Sequence, residues 1–252
     1  MIPAEREAQI LALLQDQGSV TIEELSSRFA VSEMTARRDL DRLEEKGLAE
    51  RRHGGAMLPG RLIGEEPYVA KAATHVAEKA RIALAALEFV RDQDTLILDS
   101  GTTTHEMLAV LDRRRGLTIA TNDLTIALDA SRAGIPTYMA GGLVQPEIGS
   151  AVGEGARAFF ERLAVDVAFI GVASVSRDGF ICTTSLEKAV VKTAMMKAAR
   201  KTVLLVDASK FGVAAFVKIC PLTEFDAIVT DRKIPASERA ALTKASVILV
   251  EV

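Results

Sequence analysis

Two sets of residues in this 252-residue chain have the types and spacing for binding chemistry. The first lies between Thr21 and His53. Thr21 with Glu24 forms a capping box, and Ser32 caps a further helical pattern after the turn at Ala30 and Val31. With Ala36, Leu40 and Leu43 as the buried stripe, the opposite face of that helix presents Met34, Arg37, Arg38 and Asp41. Arginines near the start of such a helix can read guanine edges in a major groove or neutralise phosphate, and Ser32, Glu33 and Thr35 share that first turn. Arg51, Arg52 and His53, on the strand-like piece and turn that follow, suit a wing against phosphate or the minor groove. The same text also fits a structural three-helix unit whose arginines are solvated.

The second set begins at Asp99. The run Asp99, Ser100, Gly101, Thr102, Thr103 and Thr104 closes an apolar stretch and opens a helical one. Glycine, hydroxyls and amides at a helix amino terminus make a phosphate cradle, and equally an ordinary turn with a threonine cap. Thr121 and Asn122, the pair Gly141 and Gly142, Gly171, Glu187, Lys192 and Lys210 stand at or just beyond the ends of other apolar runs. A sugar phosphate needs cations or amides at one end and hydroxyl-bonding carboxylates or amides along its body, and this set holds both. Singly, each lysine reads as a solvated side chain.

The elements that must position these residues fall into two textures. Apolar residues recur at helical spacing from Arg6 to Glu45, a strand-like piece covers Leu48 to Arg52, and Gly54 and Gly55 permit a tight turn. Residues 1–57 therefore read as one domain and 58–75 as a linker. From 76 to 252, apolar strand-length runs alternate with helical patterns. Expected strands are Thr95 to Leu98, Leu117 to Ala120, Thr137 to Ala140, Val165 to Ile170, Val203 to Val206, Ala227 to Val229 and Val247 to Val250. Expected helices are Val76 to Arg91, Thr104 to Asp112, Leu124 to Arg132, Gly153 to Leu163, Leu186 to Arg200 and Ser237 to Lys244. This alternation predicts a largely parallel α/β sheet covered on both faces, with ligands beyond the carboxyl ends of the strands.

Composition narrows the function classes. With 49% hydrophobic and 26% charged residues, the chain has enough apolar matter for a core and is not a disordered or low-complexity sequence. Two cysteines, Cys182 and Cys220, make no disulfide framework and fit a reducing compartment. Glu5, Arg6 and Glu7 precede any apolar run, and no stretch approaches the roughly 20 apolar residues of a membrane span, so a soluble, cytoplasmic protein is expected. His53, His75 and His105 lack zinc-ligand spacing, and no Gly-Lys-Ser follows Gly101, so neither metal nor cofactor is expected. The net charge is −3, and residues 1–61 hold 9 Lys and Arg against 11 Asp and Glu. Only the cluster Arg37, Arg38, Arg42, Lys46, Arg51 and Arg52 is locally basic.

The string from Val20 to Ala56 resembles the winged helix-turn-helix of the DeoR family of bacterial sugar-metabolism regulators. It carries that family's T-x-R-R-D-L as Thr35 to Leu40 and its R-x-H-G-G-A as Arg51 to Ala56. LILDSGTTT, IATND, VDVAFIGV, LEKAVVK, LLVDASKFG and IVTD follow in the order of the family's sensor domain. The resemblance implies a sensor similar to ribose-5-phosphate isomerase that binds a phosphorylated sugar or polyol. Its expected contacts are Asp99, Gly101, Thr102, Thr103, Thr121, Asn122, Gly171, Glu187, Lys192 and Lys210. The implied function is a repressor of a carbohydrate catabolic operon. A homo-oligomer, dimer or tetramer, would bind double-stranded operator DNA and be released by the sugar phosphate.

The competing reading is a sugar-phosphate isomerase fused to a DNA-binding domain. Isomerisation needs a carboxylate base beside the substrate carbon and an acid to stabilise the enediolate. Where isomerases of the similar fold carry an acidic cluster, this chain has Val172, Ala173, Ser174 and Val175. Glu187 is the available base but lacks that partner set, so binding without turnover is the expectation.

Overall fold

A computed structural model describes residues 3–17, 19–46, 48–52, 54–57, 67–146, 148–213 and 215–252. The chain forms two compact units, Met1–Gly64 and Glu65–Val252.

In the first unit, α1 (Pro3–Gln17), α2 (Ile22–Phe29) and α3 (Glu33–Glu45) pack through Ile10, Leu14, Leu25, Leu40 and Leu43, all fully buried. Thr21 accepts the Glu24 N–H at 3.1 Å and Ser32 the Thr35 N–H at 3.2 Å, so each cap starts its helix where a side-chain oxygen can satisfy an orphan donor. Three short strands, β1 (Ser19–Thr21), β2 (Glu50–Arg52) and β3 (Gly55–Met57), form an antiparallel sheet in the order β1-β3-β2. The two glycines of the wing do different work. Gly54 turns the hairpin at φ +78°, whereas a Cβ on Gly55 would lie 2.0 Å from the Val20 carbonyl oxygen, so β3 can approach β1 only as glycine.

Asp39, on α3, is buried and receives two hydrogen bonds from Arg6 of α1, Nε to Oδ2 at 2.5 Å and Nη2 to Oδ1 at 3.0 Å. This forked pair fixes the rotation of α3 about its own axis against α1.

The second unit opens with α4 (Tyr68–Ala73) and α5 (Val76–Ala86). Its centre is a seven-stranded parallel sheet of β4 (Thr95–Leu98), β5 (Thr118–Thr121), β6 (Thr137–Met139), β9 (Val165–Ile170), β12 (Ala199–Leu205), β14 (Ala227–Thr230) and β15 (Ile248–Glu251). The strand order is β15-β14-β12-β9-β4-β5-β6. Between these strands run α6 (Thr102–His105), α7 (Leu108–Leu111), α8 (Leu124–Arg132), β7 (Leu143–Val144), β8 (Ala151–Val152), α9 (Glu154–Phe160), β10 (Ser174–Val175), β11 (Phe180–Thr183), α10 (Leu186–Ala198), β13 (Val217–Pro221) and α11 (Ala236–Lys244). Alternate strand residues face opposite cores. Ile97, Ala168 and Leu204 pack with Phe160 of α9 and Val191 of α10, while Leu96, Phe169 and Val203 pack with Ile82 of α5 and Ile126 of α8. Among the described residues no helix is long and apolar enough to cross a membrane.

Three features depart from expectation. The span 58–75 contains α4; its residues 58–66 lie outside the described ones. Tyr68 to Ala73 is rich in helix formers, and the buried Lys79 ammonium donates to the carbonyls of Lys71 and Thr74, satisfying acceptors at the helix end. The expected helix Thr104 to Asp112 is instead two single turns, α6 and α7. A second antiparallel sheet, β10-β11-β13, and the hairpin β7-β8 were not expected, because strands of two to five residues carry little periodicity.

Replacing Asp39 by alanine leaves the Arg6 guanidinium buried without its carboxylate. Asp39→Ala is expected to lower the stability of the first unit by about 3 kcal/mol, read from urea unfolding followed by far-UV circular dichroism. An unchanged midpoint would show that the pair does not hold α3 in place.

Candidate functional site

On α3, Met34, Arg37 and Arg38 are exposed, Met34 at 66%. Glu33 pairs loosely with Arg37 at 3.6 Å, and Arg38 has no ion pair among the described residues. The Ser32 and Thr35 hydroxyls bond each other at 2.9 Å, and Thr21 serves as the cap of α2. Much of the remaining basic cluster is engaged within the unit. Lys46 and Arg42 turn back to Glu7 of α1 at 2.5 and 3.5 Å, and they hold its carboxyl below the usual carboxylate range. Arg51 is engaged within the wing, its guanidinium donating to the Gly55 carbonyl at 2.8 Å and pairing with Asp41 at 3.0 Å, bracing the hairpin. Arg52 lies on β2, and His53 falls outside the described residues. Arg37 and Arg38 are thus the exposed arginines of α3 that are least committed to the protein itself.

At the carboxyl ends of the central strands, Asp99, Asn122, Gly171 and Lys192 converge. Asp99 is buried; its Oδ2 accepts from the Lys192 ammonium and from the Gly171 N–H at 3.0 Å, and its Oδ1 from the Ser100 N–H at 2.9 Å. Lys192, also buried, donates in addition to the Gly171 carbonyl at 2.8 Å. Asn122 accepts from the Ser100 N–H at 3.1 Å and donates to the Ala151 carbonyl at 3.0 Å. Asp99, Lys192 and Asn122 thus frame this edge, each engaged within the protein, with two of the three Lys192 donors used among the described residues. Gly171 contributes its backbone N–H and carbonyl, and a Cβ there would meet nothing closer than 3.7 Å. Thr121 is fully buried, its hydroxyl accepting the Asp123 N–H at 3.1 Å.

What stays open lies just outside this frame. The Thr102 and Thr103 hydroxyls have no protein hydrogen bond among the described residues, while Thr104 donates to the carbonyls of Asp99 and Gly101 at 2.7 and 2.8 Å. Because α6 is a single turn, any attraction for an anion comes from individual N–H groups and hydroxyls rather than from a long helix dipole. Lys210, half-buried after β12, has no ion pair among the described residues. Glu187 is exposed on the first turn of α10, with its own N–H and the Ser185 hydroxyl keeping its carboxyl below the usual range. A groove of about 460 Å³ lined by Leu111, Arg114, Thr118 and Pro136 opens at the opposite, amino-terminal edge of β5, and the predicted contacts do not line it. Burial pushes the Cys220 thiol up to about 12, and Cys182 is a buried free thiol.

Asp123 was not singled out from sequence. Its Oδ1 caps α8, accepting from the N–H groups of Thr125 and Ile126 at 2.8 and 3.0 Å, and the signal for that role was an Asp placed directly before the run Leu124 to Arg132. His105 of α6 bonds Asp129 at 3.0 Å, and the Tyr68 ring stands edge-on to His105 at 6.4 Å.

Comparison with known proteins matches a DeoR-like helix-turn-helix domain over residues 6–61 and a DeoR C-terminal sensor domain over residues 74–232. The uncharacterized HTH-type transcriptional regulator YgbI of Escherichia coli (strain K12) is 40% identical over 247 residues, covering 97% of this chain and 96% of the relative. The glycerol-3-phosphate regulon repressor of the same organism is 33% identical over 244 residues, with 96% of both chains covered. Among solved structures, a D-ribose-5-phosphate isomerase in complex with phospho-erythronic acid aligns at 19% identity and TM-score 0.40, over 53% of this chain and 52% of that one.

The buried frame carries its own test. Asp99→Asn and Lys192→Met are each expected to cost about 3 kcal/mol in urea unfolding, and the double variant to lose less than the sum. Additive losses would show that the two side chains do not act as a pair.

Proposed function

The chain belongs to the DeoR family of transcriptional regulators, and from that premise we propose that it represses a carbohydrate catabolic operon and is released from operator DNA by a phosphorylated sugar or polyol. The observation that carries the DNA half is the outward face of α3, where Arg37 and Arg38 stand exposed while Arg42, Lys46 and Arg51 are engaged inside the unit. A helix presenting two arginines beside its capped first turn is suited to base edges, with Ser32, Glu33, Met34 and Thr35 alongside and Arg52 on β2. The effector would lie across Ser100 to Thr103, with Lys210 and the N–H groups of that loop on its phosphate. A homo-oligomer working in the cytoplasm fits this reading, since a few arginines per reader need a second reader to hold an operator tightly.

The isomerase alternative is the weaker one on this geometry. Asp99 is paired with Lys192 and enclosed, and Glu187 is exposed, its carboxyl kept low by its own N–H and the Ser185 hydroxyl, so neither of these two carboxylates is placed as a base over a substrate carbon.

Operator duplexes selected by the protein from random DNA give the assay. In fluorescence anisotropy, Arg38→Ala is expected to weaken operator binding by about 1–3 kcal/mol, and Arg42→Ala by less, since Arg42 is shared with Glu7 and Asp39. Equal losses would overturn the assignment of the reading face. Lys210→Ala is expected to bind operator normally and to need a higher concentration of sugar phosphate for release; unaltered release would remove Lys210 from the site.

A further inference from the structure

The two ends of the single turn α6 do different things. Thr102 and Thr103 open it with hydroxyls that no protein group engages among the described residues, and His105 closes it against two other elements. The His105 N–H donates to the Gly101 carbonyl at 3.0 Å, and the Thr104 hydroxyl donates to the same carbonyl at 2.8 Å. A turn tied this closely moves as one piece, so a displacement of the Gly101–Thr103 backbone is carried to the His105 ring.

That ring has two partners. Its Nε2 is bonded to the Asp129 carboxylate of α8 at 3.0 Å, and the Tyr68 ring stands edge-on to it, with centroids 6.4 Å apart and planes at 85°. Tyr68 is the first residue of α4, the first described element of the second unit, and the chain reaches it from the DNA-binding unit through residues 58–66. The carboxyl end of α4 is fixed separately. The Lys79 ammonium of α5 donates to the carbonyls of Lys71 and Thr74, and α5 is rooted in the core by the fully buried Ile82 and Ala83. The amino end of α4 thus rests on the turn that carries the open hydroxyls. Tyr68 is half-buried and the next residue, Val69, is 79% exposed, so this contact is no part of a deep core. An edge-to-face ring pair is a modest interaction, within the difference in binding energy that a phosphate ester can place between two arrangements.

We propose that the Tyr68–His105 contact couples the effector site to the DNA-binding unit. A sugar phosphate settling on the Ser100–Thr103 loop shifts α6, the His105 ring is carried with it, and the amino end of α4, where the chain from the reader enters the sensor, is reseated. This coupling rests on the effector site proposed above and adds to it the route by which occupancy reaches the reader. Neither side chain touches ligand or DNA in this scheme, so coupling is separable from binding.

The test uses the full chain, the selected operator duplex, and glycerol 3-phosphate and ribose 5-phosphate as probes. Anisotropy gives the operator Kd with and without saturating ester, and calorimetry gives ester binding with and without operator. Tyr68→Leu removes one ring, His105→Gln removes the other while keeping a donor for Asp129, and Tyr68→Phe keeps the ring pair. All three are expected to melt within a few degrees of the unsubstituted protein and to bind operator alone and ester alone within about threefold of it. In Tyr68→Leu and His105→Gln the ratio of the two operator Kd values is expected to fall about fivefold or more, and operator to lose its effect on ester binding in the same proportion, while Tyr68→Phe keeps both. An unchanged ratio in both ring-removing variants overturns the coupling and leaves the effector site standing. Loss of ester binding in either variant also overturns it, by placing the residue in the site itself, and an equal loss of ratio in Tyr68→Phe overturns the ring contact in favour of the hydroxyl. If neither ester binds the unsubstituted chain, the effector-site reading falls and takes the coupling with it.

Discussion

An ammonium buried among strand ends is costly unless it is paired, and Lys192 is paired with a carboxylate and a carbonyl. It reaches from α10 to the Asp99 carboxylate on one strand and to the Gly171 carbonyl on the next, while the Gly171 N–H returns to Asp99. Two neighbouring parallel strands and the helix covering one face are thereby locked at the same point. The Ser100 backbone is then fixed from both sides, by Asp99 and by Asn122, so the loop that follows starts from one defined direction. Breaking such a pair is far more damaging than its net contribution, because the survivor is left charged in a dry place. The edge is consequently pre-organised, and a ligand there would not have to order it.

The smaller unit uses the same device for a different end. Arg6 and Asp39 are both buried, and their fork joins two helices separated by 33 positions in the chain. Asp39 lies between Arg38 and Leu40, so what it fixes is the angle at which its arginine neighbours are offered to solvent. A salt bridge that adds little net stability can still fix which residues of a helix face outward.

The central strands were legible because parallel strands buried on both faces are continuous apolar runs, and Thr95–Leu98 and Val165–Ile170 fall where those runs lie. The caps at Thr21 and Ser32 were legible because the capping bond spans three residues. Distance in sequence defeats the same reasoning. Nothing near Lys192 announces a carboxylate 93 positions away, so its part in the frame was not legible. The partners of Arg51 were hidden for the same reason, since Asp41 and Gly55 come beside it only through the hairpin. The two-residue strands β7, β8 and β10 are set by their partners and leave no pattern of their own.

The engagement of Arg42, Lys46 and Arg51 by acidic and carbonyl neighbours also bears on how the protein searches a chromosome. Each phosphate neutralised releases about one counterion, so a reader with few uncommitted cations gains little from random DNA and its hold falls off gently with salt. Residence on any unspecific stretch would be brief, long slides along the duplex rare, and the protein would find its target mostly by repeated landings from solution. In the proposed DNA reader, Glu7 would temper adhesion: paired with two of its cations, it would lower the gain from contact with the bulk of the genome.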